Sequence, residues 1–391
     1  MSRNDSLYRA INFYENKLYS DAIIECSKVI AVDSYNDQAY TIRGISYYLT
    51  EQIENSIEDL TTAIHLNSQN SNAFCYRGMC LAMLKSAEAN SIIEFNKPSS
   101  FTLKGFNLEE NVIQKILQSL DDENTAIQLD NGNIQAYLAR AEALFWLENY
   151  ENALIDLNKV IKVCPNEGAF ELRAKIYYLF KNYESCIQDI NETIKFNPNN
   201  CNAYDIRGRA YYMEKKYERS IVDLTKAIQL NPSNDMAYYY RGCCYYLKDE
   251  NQKAIIDFNK CIKNNPYNYS AYDFRARCYW FIKDFQQTVQ DETISISLNP
   301  SNGSAYDFRG RAYYFLKEYP NAVNDTSNAI KLGVQNYSVF DCRGRSYFYL
   351  KQYENAINDF KCALQIKPDN IELKEFLKKV YAEIQSQRLV K

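Results

Sequence analysis

The chain is expected to be all-α, a superhelical solenoid of about ten helix–turn–helix units closed by a C-terminal helix. Three observations predict this. An Arg is followed sixteen residues later by a carboxylate, and the pair returns almost every 34 residues. Within each period the apolar residues fall on two helical stripes separated by a polar turn. Asn-Pro closes many of the periods, where Pro removes a donor and restrains the residue before it. A fixed period of this kind marks a repeat array, in which each unit packs only on its neighbours. The 391 residues therefore form a growing array and not the two or three globular domains that length alone suggests.

The first element of a unit is a helix. In Cys201 to Asn234, numbered 1 to 34, positions 4, 8, 11 and 12 share one face. Position 8 is always small, as at Gly44, Ala141, Gly242 and Gly344, and position 11 is mostly Tyr or Phe. The second element is a turn such as Glu214-Lys215-Lys216. The third is a helix whose stripe runs Ser220, Ile221, Leu224, Ala227 and Ile228. Small residues at 8 and 20 let the two axes approach closely, and the aromatic at 11 fills the adjoining space.

An antiparallel hairpin turning at position 15 sets position 7 level with position 23. The recurrent Arg then faces the recurrent carboxylate. Arg43/Asp59, Arg207/Asp223, Arg241/Asp257 and Arg309/Asp325 are expected to form a structural ladder, with Arg9/Glu25 at its start. Arg77 belongs to the series, with Glu94 displaced by one residue.

These features resemble the tetratricopeptide (TPR) repeat: aromatic at 4, Gly or Ala at 8, Tyr at 11, Ala at 20 and 27, Pro at 32. The resemblance covers about 330 of the 391 residues and implies a right-handed superhelix. Repeats 1–3 are placed at 3–97 and repeats 4–10 at 126–370. Between Gly78 and Ala141 lie 63 residues, one period of 34 plus 29. An insertion with one helix is therefore placed at 98–125, either a tolerated surface element, or a docking element or hinge between the two sub-arrays. A capping helix and tail follow at 371–391, with Leu373, Phe376, Leu377, Val380, Tyr381 and Ile384 on one stripe.

Composition narrows the function. The net charge of −4 gives no basic excess to attract nucleic acid or an anionic membrane. With 35 Tyr and 19 Phe the chain has the means to pack throughout. No apolar run approaches the ~20 residues that span a bilayer. The polar start MSRNDSLYRA lacks a signal core, so a cytoplasmic location is expected. The twelve Cys show no CxxC; Cys80, Cys244 and Cys278 share one slot, as small core residues would in a reducing compartment. His65 is the sole histidine and no Gly-rich phosphate motif occurs. No catalytic residue, metal or cofactor is expected, and the chain is not expected to be an enzyme.

The resemblance implies a protein or peptide partner, held in a concave wall made by the first helices. Mapped residue by residue, that wall carries Glu171/Lys175, Asp205/Arg209, Asp273/Arg277, Asp307/Arg311 and Asp341/Arg345, with Tyr212, Trp280 and Tyr314 one turn on. Acid before base at i,i+4 suits self-paired helices. It also suits a groove whose Arg and aromatics grip an extended charged segment. The earlier units hold Leu7/Ile11, Thr41/Ile45 and Cys75/Met79 in those slots, an apolar groove by expectation. The Lys and Asn pattern that clamps the terminal carboxylate of Hsp70 or Hsp90 is absent. The chain is thus expected to be a non-enzymatic scaffold or adaptor. Two alternatives stand beside it: a structural subunit of a transport, ciliary or secretion complex, contacting through its convex face and insertion, and a chaperone-linked adaptor without the clamp.

Overall fold

A computed structural model describes residues 3–90 and 110–389. Among the described residues there are 21 α-helices and no strand. They run α1 Arg3–Glu15, α2 Tyr19–Val32, α3 Asp37–Leu49, α4 Ile53–Leu66, α5 Ser71–Asn90, α6 Glu110–Leu129 and α7 Ile134–Trp146. Next come α8 Tyr150–Val163, α9 Glu167–Leu179, α10 Tyr183–Phe196, α11 Cys201–Met213, α12 Tyr217–Leu230, α13 Asp235–Leu247 and α14 Asn251–Asn264. The last are α15 Tyr269–Phe281, α16 Phe285–Leu298, α17 Gly303–Phe315, α18 Tyr319–Lys331, α19 Tyr337–Tyr349, α20 Tyr353–Ile366 and α21 Ile371–Leu389. Within α1–α10 and within α13–α20 each odd helix packs on the even helix after it, giving five hairpins and then four. The packing divides the chain into two compact units, one taking helices up to Ala210 and one taking those from Tyr211 on.

Each hairpin is delimited by side-chain chemistry at fixed places. The Asn at position 34 accepts a hydrogen bond from the backbone N–H three residues on, as Asn36 does from Ala39 at 2.9 Å and Asn234 from Ala237 at 2.9 Å. This N-cap satisfies one of the donors a helix start leaves open. It recurs at Asn70, Asn133, Asn166, Asn200, Asn268, Asn302, Asn336 and Asn370. The first helix ends on a left-handed residue at position 15. Lys17, Glu51, Glu148, Lys181, Lys215, Asp249, Lys283, Lys317 and Lys351 all have φ between 58° and 65°. There the Lys215 N–H reaches the Tyr212 carbonyl and the Lys216 N–H reaches that of Tyr211, both at 2.9 Å. Gly is the usual residue for this motif. The ninth repeat has no Asn-Pro, and Gly333 with φ 89° ends α18 instead.

The core lies between the two helices of each hairpin and between neighbours. Position 8 faces position 24, and their sizes complement each other. Gly242 lies against Phe258 and Gly344 against Phe360, where a Cβ would sit 2.8 and 2.7 Å from the ring. Ala141 shares its cluster with the smaller Leu157, and Ala174 with Ile190.

The third hairpin departs from expectation. The sequence spacing pairs Arg77 with Glu94, which lies outside the described residues. Its partner is Asp122 on α6, with Nε–Oδ2 2.9 Å and Nη2–Oδ1 2.7 Å. The separation of 45 is the usual 16 plus 29. Ser119 donates to the Gly78 carbonyl at 3.0 Å just as Ser56 does to Gly44 at 2.7 Å, again offset by 29 (41 against 12). So α6 is the second helix of the third repeat, and the spare residues fall between its two helices. The segment placed at 98–125 overlaps this helix. The cause is local: α5 runs on through Lys85, the slot that reverses the chain elsewhere, without a left-handed residue.

Two smaller expectations change. Ile45 and Cys75 of the slots read as an apolar groove are buried in core clusters, whereas Leu7, Ile11 and Met79 are only partly buried. On α21, Leu373 and Val380 are buried against Phe360 and Ala363, while Tyr381 is 44% exposed. The seam follows Leu373, Leu377, Val380 and Ile384, and Tyr381 falls just outside it.

Candidate partner-binding site

The ladder forms as bidentate pairs. Arg43 holds Asp59 through Nε at 2.6 Å and Nη2 at 2.8 Å. Arg241 holds Asp257 at 2.8 and 2.7 Å, and Arg309 holds Asp325 at 2.6 and 2.9 Å. Arg140, Arg173, Arg275 and Arg343 repeat the geometry. The remaining nitrogen, Nη1, reaches back to position 25 of the preceding repeat: Ser27 for Arg43, Thr225 for Arg241 and Thr293 for Arg309, at 3.0 to 3.1 Å. Arg207 does the same to Asn191 at 2.6 Å, and Asp223 is buried. At the start, Glu25 is bonded by Lys28 at 2.6 Å. Sequence reasoning found the carboxylate and missed position 25, whose steady Ser, Thr or Asn was the available signal. Burial raises the carboxyls of Asp59, Asp257 and Asp291 although Arg pulls them down. Such pairs are costly to desolvate and costlier to break. They serve structure.

The expected wall residues are brought together as pairs within each first helix. Glu171–Lys175 closes at 2.7 Å, Asp205–Arg209 at 2.6 Å, Asp273–Arg277 at 2.6 Å, Asp307–Arg311 at 3.3 Å and Asp341–Arg345 at 2.7 Å. Asp205, Arg209, Asp273 and Asp307 are buried. The guanidiniums are also roofed by rings. Arg277 lies 4.8 Å from the Phe274 centroid and 5.1 Å from Phe308; Arg311 lies 4.1 Å from Phe308 and 4.9 Å from Trp280. Burial opposes ionisation of Glu171, yet Lys175 and Asn200 hold its carboxyl below the usual value. Much of the charge on this face is therefore spent inside it.

What faces solvent is the residue after the aromatic. Position 13 carries Met213, Leu247, Phe281, Phe315 and Tyr349, which are 44 to 54% exposed. The sequence pattern showed this column, but an apolar residue at the end of an amphipathic stripe reads as core. Around it the rings pack in order. Phe285 stacks on Phe315 at 4.7 Å and 11°, and one repeat on Tyr319 stacks on Tyr349 at 4.6 Å and 9°. Trp280 stands 5.2 Å from Phe285 and 5.3 Å from Phe315, and Tyr314 stands 6.1 Å from Tyr319. Trp280, Phe281, Lys283, Phe285 and Phe315 line an open apolar pocket of about 340 Å³. Tyr212 meets Tyr217 and Tyr240 at 6.1 and 5.3 Å.

Two buried acids belong to no pair. Glu292 on α16 and Glu123 on α6 occupy position 24, where Leu60, Leu157, Leu224 and Phe258 stand elsewhere, and both are fully buried. Their carboxyl oxygens reach no partner in hydrogen-bond geometry. Burial first, then Asp273 beside Glu292 and Asp122 beside Glu123, push both well above the usual range. His65 is exposed, all twelve Cys are free thiols, and among the described residues no acid, His or Cys cluster suits a metal.

Family models match parts of the sequence. Models described as tetratricopeptide repeat match residues 134–167, 236–266 and 342–370, and a model described as TPR repeat matches 208–249. The chain thus contains tetratricopeptide repeats. Among solved structures, the APC/C hetero-tetramer Cut9–Hcn1 is 13% identical over 97% of this chain and 96% of that one, with a TM-score of 0.48. Yeast Tom70 is 14% identical over 98% and 96%, with a TM-score of 0.41. YrrB, described as a TPR protein with an unusual peptide-binding site, is 18% identical over 48% and 97%, with a TM-score of 0.45. No curated protein matches the sequence.

Proposed function

We propose that the chain is a non-enzymatic protein-interaction scaffold that holds an extended segment of a partner along its first helices. The fold supports the coarse reading, because tetratricopeptide repeats generally act as protein-interaction modules. The observation that carries the finer one is the exposed apolar column at position 13, continued through five successive repeats. Large rings set in a rigid array make anchors at little entropic cost. The Asp/Arg pairs beside the column position those rings and give the face its polar rim. No helix of the described residues is long and apolar enough to cross a membrane, and a cytoplasmic site of action remains part of the proposal.

The test is capture from a source lysate on the immobilised chain, with mass spectrometry as readout. The control is the variant Phe281→Ser, Phe315→Ser, Tyr349→Ser, checked for helicity. Loss of a defined partner set in the variant is expected. An unchanged set would move the contact to another face and overturn the reading.

A further inference from the structure

The same column carries charge as well as rings in the last three repeats. Position 15 follows it by two residues and holds Lys283, Lys317 and Lys351, each fixed in the left-handed conformation at the tip of the hairpin turn. The preceding repeat has Asp249 in that slot. Lys283 lines the pocket between Trp280, Phe285 and Phe315. None of the three lysines has an ion pair among the described residues. The nearest acids in sequence are engaged: Asp284 accepts from the Gln287 N–H at 3.1 Å, and Glu318 from Asn321 Nδ2 at 2.8 Å. An apolar pocket with a lysine in its lining has a definite complement, and at the next turn Tyr314, Tyr319 and Tyr349 pack together, rings from two repeats beside the segment that carries Lys317.

We propose that this turn edge binds an acidic segment of a partner protein, seating one apolar side chain between Phe281, Phe285 and Phe315 with flanking carboxylates on Lys283 and Lys317. The proposal rests on the scaffold reading and gives it a chemistry. Ring anchors supply affinity, and the lysine in the pocket lining selects sign: a basic segment would meet like charge there, while Asp284 is turned to the Gln287 N–H and does not line the pocket. The chain as a whole is acidic, at −4, so attraction depends on these local charges and fades as salt screens them.

Trp280 reports on its own pocket. The chain has two Trp, so Trp146→Phe leaves its fluorescence as the sole signal. Three capped peptides serve as probes: Asp-Glu-Leu-Phe-Glu-Asp, its counterpart with Lys at every acid, and its counterpart with Ala for Leu-Phe. The acidic apolar peptide should shift the emission saturably, with the other two at least about tenfold weaker. The double variant Lys283→Glu, Lys317→Glu should reverse the preference. It should fold, because Glu51 and Glu148 hold the same slot at the same φ. Phe315→Ala should abolish the shift. Equal binding of acidic and basic peptides, no saturable binding, or tighter binding of a single-stranded oligonucleotide would each overturn the proposal. Failure here with partners still lost from the Ser variant in the capture experiment would overturn the acidic chemistry and leave the scaffold reading standing.

Discussion

Replacing Glu292 with Leu should make the eighth repeat more stable, although it removes a carboxyl from a polar neighbourhood. The side chain is fully buried on α16, and neither carboxyl oxygen meets a partner. The Ser295 hydroxyl one turn on is also unsatisfied. Asp273 faces the carboxyl and raises it further, while Arg277, which would lower it, is committed to Asp273. Leu already occupies this place at Leu60, Leu157 and Leu224, fully buried each time. Removing an unsatisfied buried polar group returns about 1–3 kcal/mol, and the added apolar contact brings the total to about 2–4 kcal/mol. The pH dependence has a definite sign. The folded carboxyl titrates well above the ordinary 4.5. As pH rises past that value, the unfolded chain releases its proton and the folded chain does not. Stability therefore falls by up to about 1.4 kcal/mol per pH unit until the folded group ionises. Hydrogen exchange of α15, α16 and α17 at about pH 5 and about pH 7, with Trp280 fluorescence in urea, reads both effects. The wild type should lose protection toward the higher pH and Glu292→Leu should not. A variant less protected than wild type at both values would refute the reasoning.

Three further outcomes follow from the hairpin. Arg241→Met should cost about 3–5 kcal/mol by stranding the buried Asp257, whereas Arg241→Met with Asp257→Leu should lie near wild type; urea denaturation of both variants decides whether the rung stabilises or only must not be broken. Asn234→Ala removes the cap on the Ala237 N–H and should cost about 1 kcal/mol, seen as faster exchange confined to the start of α13. Gly242→Ala drives a Cβ to 2.8 Å from Phe258 and should cost about 1–3 kcal/mol. Adding Phe258→Leu, which recreates the Ala141/Leu157 pairing, should recover part of that loss in the same denaturation assay.

Periodicity made most of the fold legible. Two residues fixed relative to each other in every period, Arg at 7 and Asp at 23, define a hairpin before any helix is drawn. The third repeat was misplaced because pattern matching accepts the nearest carboxylate. Glu94 stood one residue from its expected slot, whereas Asp122 stood 29 beyond it. Only pairing in space shows that the spare residues lie inside the hairpin. The candidate site was legible by position but not by orientation. Asp273/Arg277 and Asp307/Arg311 read as a charged wall, yet an Arg can fold back one turn onto its own Asp and lie between rings. Phe315 and Tyr349 read as stripe ends, and whether a stripe end meets a neighbour or water depends on where the next repeat begins.

The misplaced repeat also shows what the array tolerates. The pairs Arg77–Asp122 and Ser119–Gly78 close as their counterparts do, although their chain separation has grown by 29 residues. Alignment of the two helices is thus written into side chains that clasp across the hairpin, and the loop joining them is free to vary. Loop closure grows expensive only slowly with length. Other turns are in that sense open ports: a tag, a sensor peptide or a small domain grafted at Lys181 or Asp249 should leave the hairpin beneath it in register. The protein can acquire new surfaces there without redesigning its scaffold.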